Sequence, residues 1–279
     1  MSTATGSPVV TETTNASRRP TRRGWQLGRS ARRLIIPVLT IAALIGLWQL
    51  VVWADSVPSY IVPTPVEVAR TTVDEWGTLM HNLVPTAIET GLGFLVGNGV
   101  AILLAVLFVH FKPAERALFP VAIFIRTIPI VAIAPVLVIM LGNGYSPKVV
   151  IAALISFFPT LVNMVRGLES VDPQALELMK VLSASRVEVF FKVRLFASLP
   201  FLFASLKIAA TSAVIGAVVA EWIGSSQGLG YMIVQATFNY RTAELYAAMV
   251  VTSLFAMACF LLVGITERLV VRWNVEAAP

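Results

Sequence analysis

The side chains that most often carry enzyme chemistry are scarce in this chain, and those present are badly placed for it. There are two histidines, His81 and His110, and one cysteine, Cys259. A single thiol cannot build a disulfide framework or a cysteine metal site. Gly224-Ser225-Ser226-Gln227-Gly228 fits the G-x-S-x-G pattern of serine hydrolases, whose nucleophile needs a base within hydrogen-bond reach. Neither histidine meets that need, because His81 falls in an expected outer loop and His110 at the inner end of an apolar stretch. No aspartate lies in an apolar stretch, and no His/Glu set has metal-ligand spacing. No G-x-x-x-x-G-K-[ST] occurs to cradle nucleotide phosphates. These residue types argue against a hydrolase, a metalloenzyme or an ATPase, and they call for no cofactor.

One charge does sit in an apolar setting. Arg126 lies well inside a hydrophobic run that also holds Pro120, Pro129 and Pro135. At bilayer depth a charge costs at least about 2.5 kcal/mol, so it should face the bundle interior or water and have a partner. Arg126 is then either a pore-lining substrate contact or a structural residue, paired with an acid (Glu89 and Glu221 are the candidates) or bonded to a carbonyl freed by Pro129. Each proline removes an intrahelical hydrogen bond, so this helix should be kinked or broken, and a broken helix can expose backbone to a cavity. Arg126, Pro129, Pro135 and Glu221 are therefore the candidate translocation path.

The elements that must position these residues follow from composition. The chain has 279 residues, 57% hydrophobic and 13% charged, with a mean hydropathy of +0.82. An average soluble domain is about 25% charged, so a soluble enzyme, a disordered protein and a nucleic-acid-binding domain are excluded. Crossing a bilayer takes about 20 apolar residues at about 1.5 Å each. Six stretches qualify: residues 34–53, 86–109, 117–141, 149–165, 201–222 and 245–266. Their length and lack of period-two alternation predict helices, giving an all-α integral membrane protein with six spans. Residues 1–33 read as a disordered basic tail, 34–273 as the six-span domain, and 274–279 as a short C-terminal tail. The apolar run after the basic residues ends in Val51-Val52-Trp53-Ala54-Asp55-Ser56 with no small-x-small cleavage site, so it reads as an uncleaved span.

Basic residues set the orientation. With a cytoplasmic N-terminus, sixteen of the 21 Lys and Arg fall in inner segments and only Arg70, Lys148 and Arg241 in outer ones. Lys207 is placed to snorkel inward. Both termini are expected in the cytoplasm. Thr64-Pro65 starts a surface helix in the first outer loop, and the Gly224, Gly228 and Gly230 cluster predicts a bent outer turn. Gly93 and Gly97 form a G-x-x-x-G with Gly91 close by, and Gly216 with Ala220 makes a similar small pair; both predict close helix packing.

The inner segment from Arg166 to Leu199 is long and organised. Asp172-Pro173 gives an N-cap followed by proline at the first helical position. The helix that follows offers Leu176, Met179 and Leu182, with Leu178 beside them. Ser185-Arg186-Val187-Glu188 fits a capping box, predicting a second short helix after a joint at Ser183-Ala184. A short helix presenting Leu and Met is stable only if that face is covered, either by its own bundle or by a groove on a partner.

This loop resembles the cytoplasmic motif of permease subunits of bacterial ATP-binding-cassette importers: Glu-Ala-Ala, three residues, Gly, nine residues, an aliphatic residue, one residue, Leu-Pro. Glu177 takes the Glu position, Leu178-Met179 the alanine pair, Ser183 the glycine, Val193 the aliphatic position and Leu195-Phe196 the Leu-Pro, with another Leu-Pro at Leu199-Pro200. The alanine pair, the glycine and the first proline depart from the pattern. The stretch from Arg126 to Gly144 resembles the third span of the nitrate/sulfonate/taurine group, and Ser198 to Tyr231 its fifth. The wording is similar to members for pyrimidine thiamine precursors or riboflavin, and the resemblance runs from Leu34 to Trp273.

The resemblance implies a homodimeric permease in the cytoplasmic membrane, a cytoplasmic ATPase dimer that supplies energy, and an extracytoplasmic binding protein that delivers a small polar solute. It implies that Glu177, Leu178, Met179, Leu182, Ser183, Ala184 and Ser185 form the ATPase-coupling loop. An ion-coupled secondary transporter is the rival reading. It would normally show internal repeats and an intramembrane ionisable pair, and the chain shows no repeat.

Overall fold

The computed structural model describes residues 23–54 and 58–271, with side chains described from 35 onward. The expected tails fall largely outside this range: residues 1–22 and 272–279 are not described. Every element among the described residues is helical. Helix α1 (Arg23–Ala54) carries the first apolar stretch, Ile35–Ala54, and starts ahead of the predicted Leu34.

The remaining helices form the main body. They are α2 (Pro65–Asp74), α3 (Trp76–His110), α4 (Lys112–Thr127), α5 (Ile130–Leu141), α6 (Tyr145–Glu169), α7 (Pro173–Val181) and α8 (Arg186–Val189). A π-helical turn, Phe190–Arg194, leads into α9 (Leu195–Gly224), followed by α10 (Leu229–Phe238) and α11 (Thr242–Val270). Helices α1, α3, α6 and α11, and the unbroken run Arg186–Gly224, are each long and apolar enough to span a membrane. The expected third span is instead the pair α4 and α5, bent by 98°. Counting that pair as one crossing gives six.

Helices α3, α6 and α9 make the core. Long side chains would hold these axes apart, and small ones let them close. Gly97 abuts the Ala153 backbone of α6, and Gly216 of α9 lies against Ala152. Gly91 faces open space, so only Gly93 and Gly97 belong to the seam. Ala101, Ala105 and Phe108 pack on Leu161, Met164 and Leu168 toward the α7 end. At the opposite end Leu79, Leu229, Met232, Ala247 and Val251 join α3, α10 and α11. Lys207 pairs with Glu267 across α9 and α11.

Local capping signals behave as read. Thr64 and Glu67 form a capping box with Pro65 in the first turn of α2. Two features differ from expectation. The glycine cluster after α9 makes a turn and then a further helix, α10, because Leu229 and Met232 have an apolar site to fill. The helix begun at Ser185 also runs without a break through Pro200 into the fifth crossing.

Candidate functional site

Between α6 and α9 the chain builds a projecting loop on clamped ends. The Arg194 guanidinium donates to the Leu168 carbonyl at 2.8 Å. A Cβ on Gly167 would meet the Phe201 Cβ at 2.8 Å, so the two helices touch where the loop leaves and returns. The Asp172 side chain accepts from the Gln174 amide at 2.9 Å and starts α7, with Pro173 in its first turn.

Helix α7 ends in a Schellman motif. The Ser183 amide donates to Lys180 and the Ala184 amide to Met179, both at 2.9 Å. That closure puts Ser183 at φ 53°, the left-handed conformation that glycine adopts without strain. The position that matches the glycine of the importer motif thus has a glycine's backbone. Next, the Ser185 amide donates to Glu188 at 2.8 Å and the Glu188 amide to the Ser185 hydroxyl at 3.3 Å, completing the expected capping box. Hydrogen bonds from the Ser185 backbone and hydroxyl, with Lys192 nearby, hold the Glu188 carboxyl below the usual carboxylate range.

The apolar face of α7 is not the one the spacing first suggested. Leu176 and Met179 are half-buried. Leu178, Val181 and Leu182 are 59%, 81% and 65% exposed. These three stand at i, i+3 and i+4 and so form one stripe. Glu177 is exposed beside it.

The second region is the break between α4 and α5. Ile128 is extended and Pro129 caps α5 without a side-chain bond. Beside the break lies an open cavity of about 990 Å³, bounded by α3, α4, α5, α6 and α9. Arg126 and Pro129 line it; Pro135 and Glu221 do not. The Arg126 guanidinium lies over the Phe158 ring, 4.4 Å from its centre.

The acids expected as partners of Arg126 are engaged elsewhere. Lys148, read from sequence as an outer-loop residue, is buried and lies 3.4 Å from Glu89. Its ammonium also donates to the Ser225 hydroxyl at 2.9 Å. Glu221 accepts from the Thr86 hydroxyl at 2.6 Å and from the Gly230 amide at 2.5 Å. The Leu229 amide donates to Thr86 and the Gly228 amide to Asn82. This cluster staples the ends of α3, α6 and α9 to the turn before α10. One signal in the sequence pointed to it: two intramembrane acids near the same end require a base, and Lys148 is the one lysine among the expected outer segments. Among the described residues no group of three or more His, Cys, Asp or Glu could hold a metal.

Comparison with known proteins gives this architecture its context. Residues 97–274 match the family model described as the binding-protein-dependent transport system inner membrane component. The protein named "Probable ABC transporter permease protein" of Haemophilus influenzae is 35% identical, over 78% of this chain and 89% of its own length. The riboflavin transport system permease protein of Chloroflexus aurantiacus is 32% identical, over 88% of this chain and 94% of its own. Among solved structures, an amino acid ABC transporter chain aligns with a TM-score of 0.55 at 17% identity, over 72% of this chain and 97% of that one, a likeness of fold. The exposed loop between α6 and α9, the broken helix and the matched residues come together in one conclusion: the chain belongs to the binding-protein-dependent transport system inner membrane component family, the permease subunits of ATP-binding-cassette importers.

Proposed function

We propose that two copies of this chain form the path of an importer in the bacterial cytoplasmic membrane, with both termini in the cytoplasm. A cytoplasmic ATPase dimer seats on the loop formed by Glu177, Leu178, Met179, Leu182, Ser183, Ala184 and Ser185. An extracytoplasmic binding protein delivers a small polar solute of the pyrimidine, riboflavin or sulfonate kind. The permease domain runs over residues 34–273, between a basic N-terminal segment and a short C-terminal tail. The chain itself carries no ATP chemistry and acts by alternating access.

The observation that carries this reading is the Leu178, Val181 and Leu182 stripe, exposed on a helix too short to be stable alone. Burying such a side chain contributes about 1.5–3 kcal/mol, so a groove on the ATPase is a strong site for it. ATP closure then moves α7, and the clamps at Leu168 and Gly167 pass the displacement to α6 and α9. ATP shifts the conformational balance only by binding one state better than the other. The test is co-purification. A chain carrying Leu178→Asp with Leu182→Asp should reach the membrane at the normal level yet retain no ATPase subunit. Full retention would overturn the reading. Met179, half-buried, is a poorer target because charge there would disturb the loop itself.

A further inference from the structure

We infer that the cavity beside the broken helix is a binding site for an organic anion with an apolar or aromatic body, its anionic head held by Arg126. The inference rests on the permease reading above and narrows its substrate class.

Arg126 is the only charged residue among those lining the cavity; Thr127 and Ser212 are the polar ones, and the other walls include Val100, Ile125, Ile133, Phe157 and Ile208. No ion pair among the described residues includes Arg126. Its two sequence-level partners are committed, Glu89 to Lys148 and Glu221 to Thr86 and the Gly230 amide. The contact it does make, over the Phe158 ring at 4.4 Å from its centre, is to an uncharged side chain and supplies no counter-anion. A guanidinium is a planar fork of donors suited to two oxygens of one carboxylate, sulfonate or phosphate. Arg126 is exposed in the single chain, so a ligand can reach it, and an anion supplies the partner that a charge in a membrane-spanning segment calls for.

Size and lining then fix the body of the ligand. Pockets for small organic molecules run from about 300 to 1,000 Å³ and are mostly apolar with few placed polar groups. At about 990 Å³ the cavity is far too large for a bare inorganic anion such as nitrate. Its Val, Ile and Phe walls favour an apolar or aromatic body, and a neutral solute would leave the Arg126 charge uncompensated.

The test uses the transporter assembled with its ATPase in lipid nanodiscs and equilibrium dialysis with three probes. These are benzenesulfonate, nitrate and benzyl alcohol, a neutral aromatic of similar size. Wild type should bind benzenesulfonate saturably and the other two at least tenfold more weakly. Arg126→Gln should weaken benzenesulfonate at least tenfold, and Arg126→Lys, which keeps the charge but loses the fork, by several-fold. ATPase retention, measured in parallel, reports assembly. If Arg126→Gln fails to assemble, Arg126→Lys and Phe158→Leu decide, and unchanged affinity in both overturns the inference. So does unchanged affinity in an assembled Arg126→Gln, equal binding of nitrate or benzyl alcohol, or no saturable binding by wild type. Loss of the ATPase from the wild-type chain would instead remove the permease reading, a separate failure visible before any probe is added.

Discussion

Ser183 carries a backbone conformation that its Cβ opposes. A left-handed residue with a side chain is disfavoured by roughly 1–2 kcal/mol, and glycine avoids that while losing more freedom on folding. The Ser183→Gly variant should therefore be more stable by about 0.5–1 kcal/mol, and Ser183→Val less stable, since a β-branched residue resists φ 53°. Thermal unfolding of the purified chain in detergent checks both. Lys148 offers a larger effect. It is the base beside two buried acids, and deleting one partner of a buried pair leaves an uncompensated charge, a loss of about 3–5 kcal/mol. Lys148→Met should thus unfold far earlier than wild type in the same melt, and adding Glu89→Gln should recover much of the difference. A melt unchanged by Lys148→Met would mean that Glu89 does not rely on the ammonium as its counter-charge.

At the scale of elements, the seam between α3 and α6 separates glycines that sequence alone treats alike. A Cβ on Gly97 would collide with the Ala153 carbonyl and Ser156, whereas one on Gly91 meets nothing within 4 Å. Gly97→Ala should cost about 1–3 kcal/mol through overpacking, while Gly91→Ala should gain up to about 1 kcal/mol from helix propensity. Reversed signs would mean that the helices do not meet along this face. The same contrast explains what the sequence made legible. Thr64 with Pro65, Asp172 with Pro173, and Ser185 with Glu188 act within four residues, so their helix starts could be read directly. A kink or break in the third span was likewise readable from its prolines, but not its place, since Pro120 and Pro135 stay inside α4 and α5 while the chain bends at Pro129. Helix α10 was not. It exists because Leu229 and Met232 fill a site made by Leu79 and Val251, residues far away in the chain. The outward face of α7 was also hidden, since Leu176 and Leu178 are equally apolar and only the bundle decides which turns in.

For the whole molecule, hydropathy and the basic residues were enough to expect six crossings and an orientation, because both are sums over many residues and tolerate local error. The partner of Arg126 was beyond such sums, as Lys148 had to be seen folded inward before Glu89 could be removed from consideration. The orientation is open to a direct check. In cells that express this chain without the ATPase subunit, and with the single Cys259 replaced by Ser, a membrane-impermeant maleimide applied from outside should label Tyr60→Cys and leave Val181→Cys unlabelled until the cells are permeabilised. Both side chains are well exposed, at 59% and 81%, so access and not burial sets the result. Labelling of the Val181→Cys variant from outside would reverse the proposed sidedness.

The unbroken run from Arg186 to Gly224 spans 39 residues, roughly 58 Å at about 1.5 Å per residue. The π-helical turn Phe190–Arg194 and Pro200 both lie near its driven tip, and from there to Gly224 it is continuous α-helix. Tilting the tip must swing the far end through a matching arc, in the opposite sense about whatever point the bundle pins. A fluorophore beside Trp222 should therefore change its emission as nucleotide is added on the other side of the membrane.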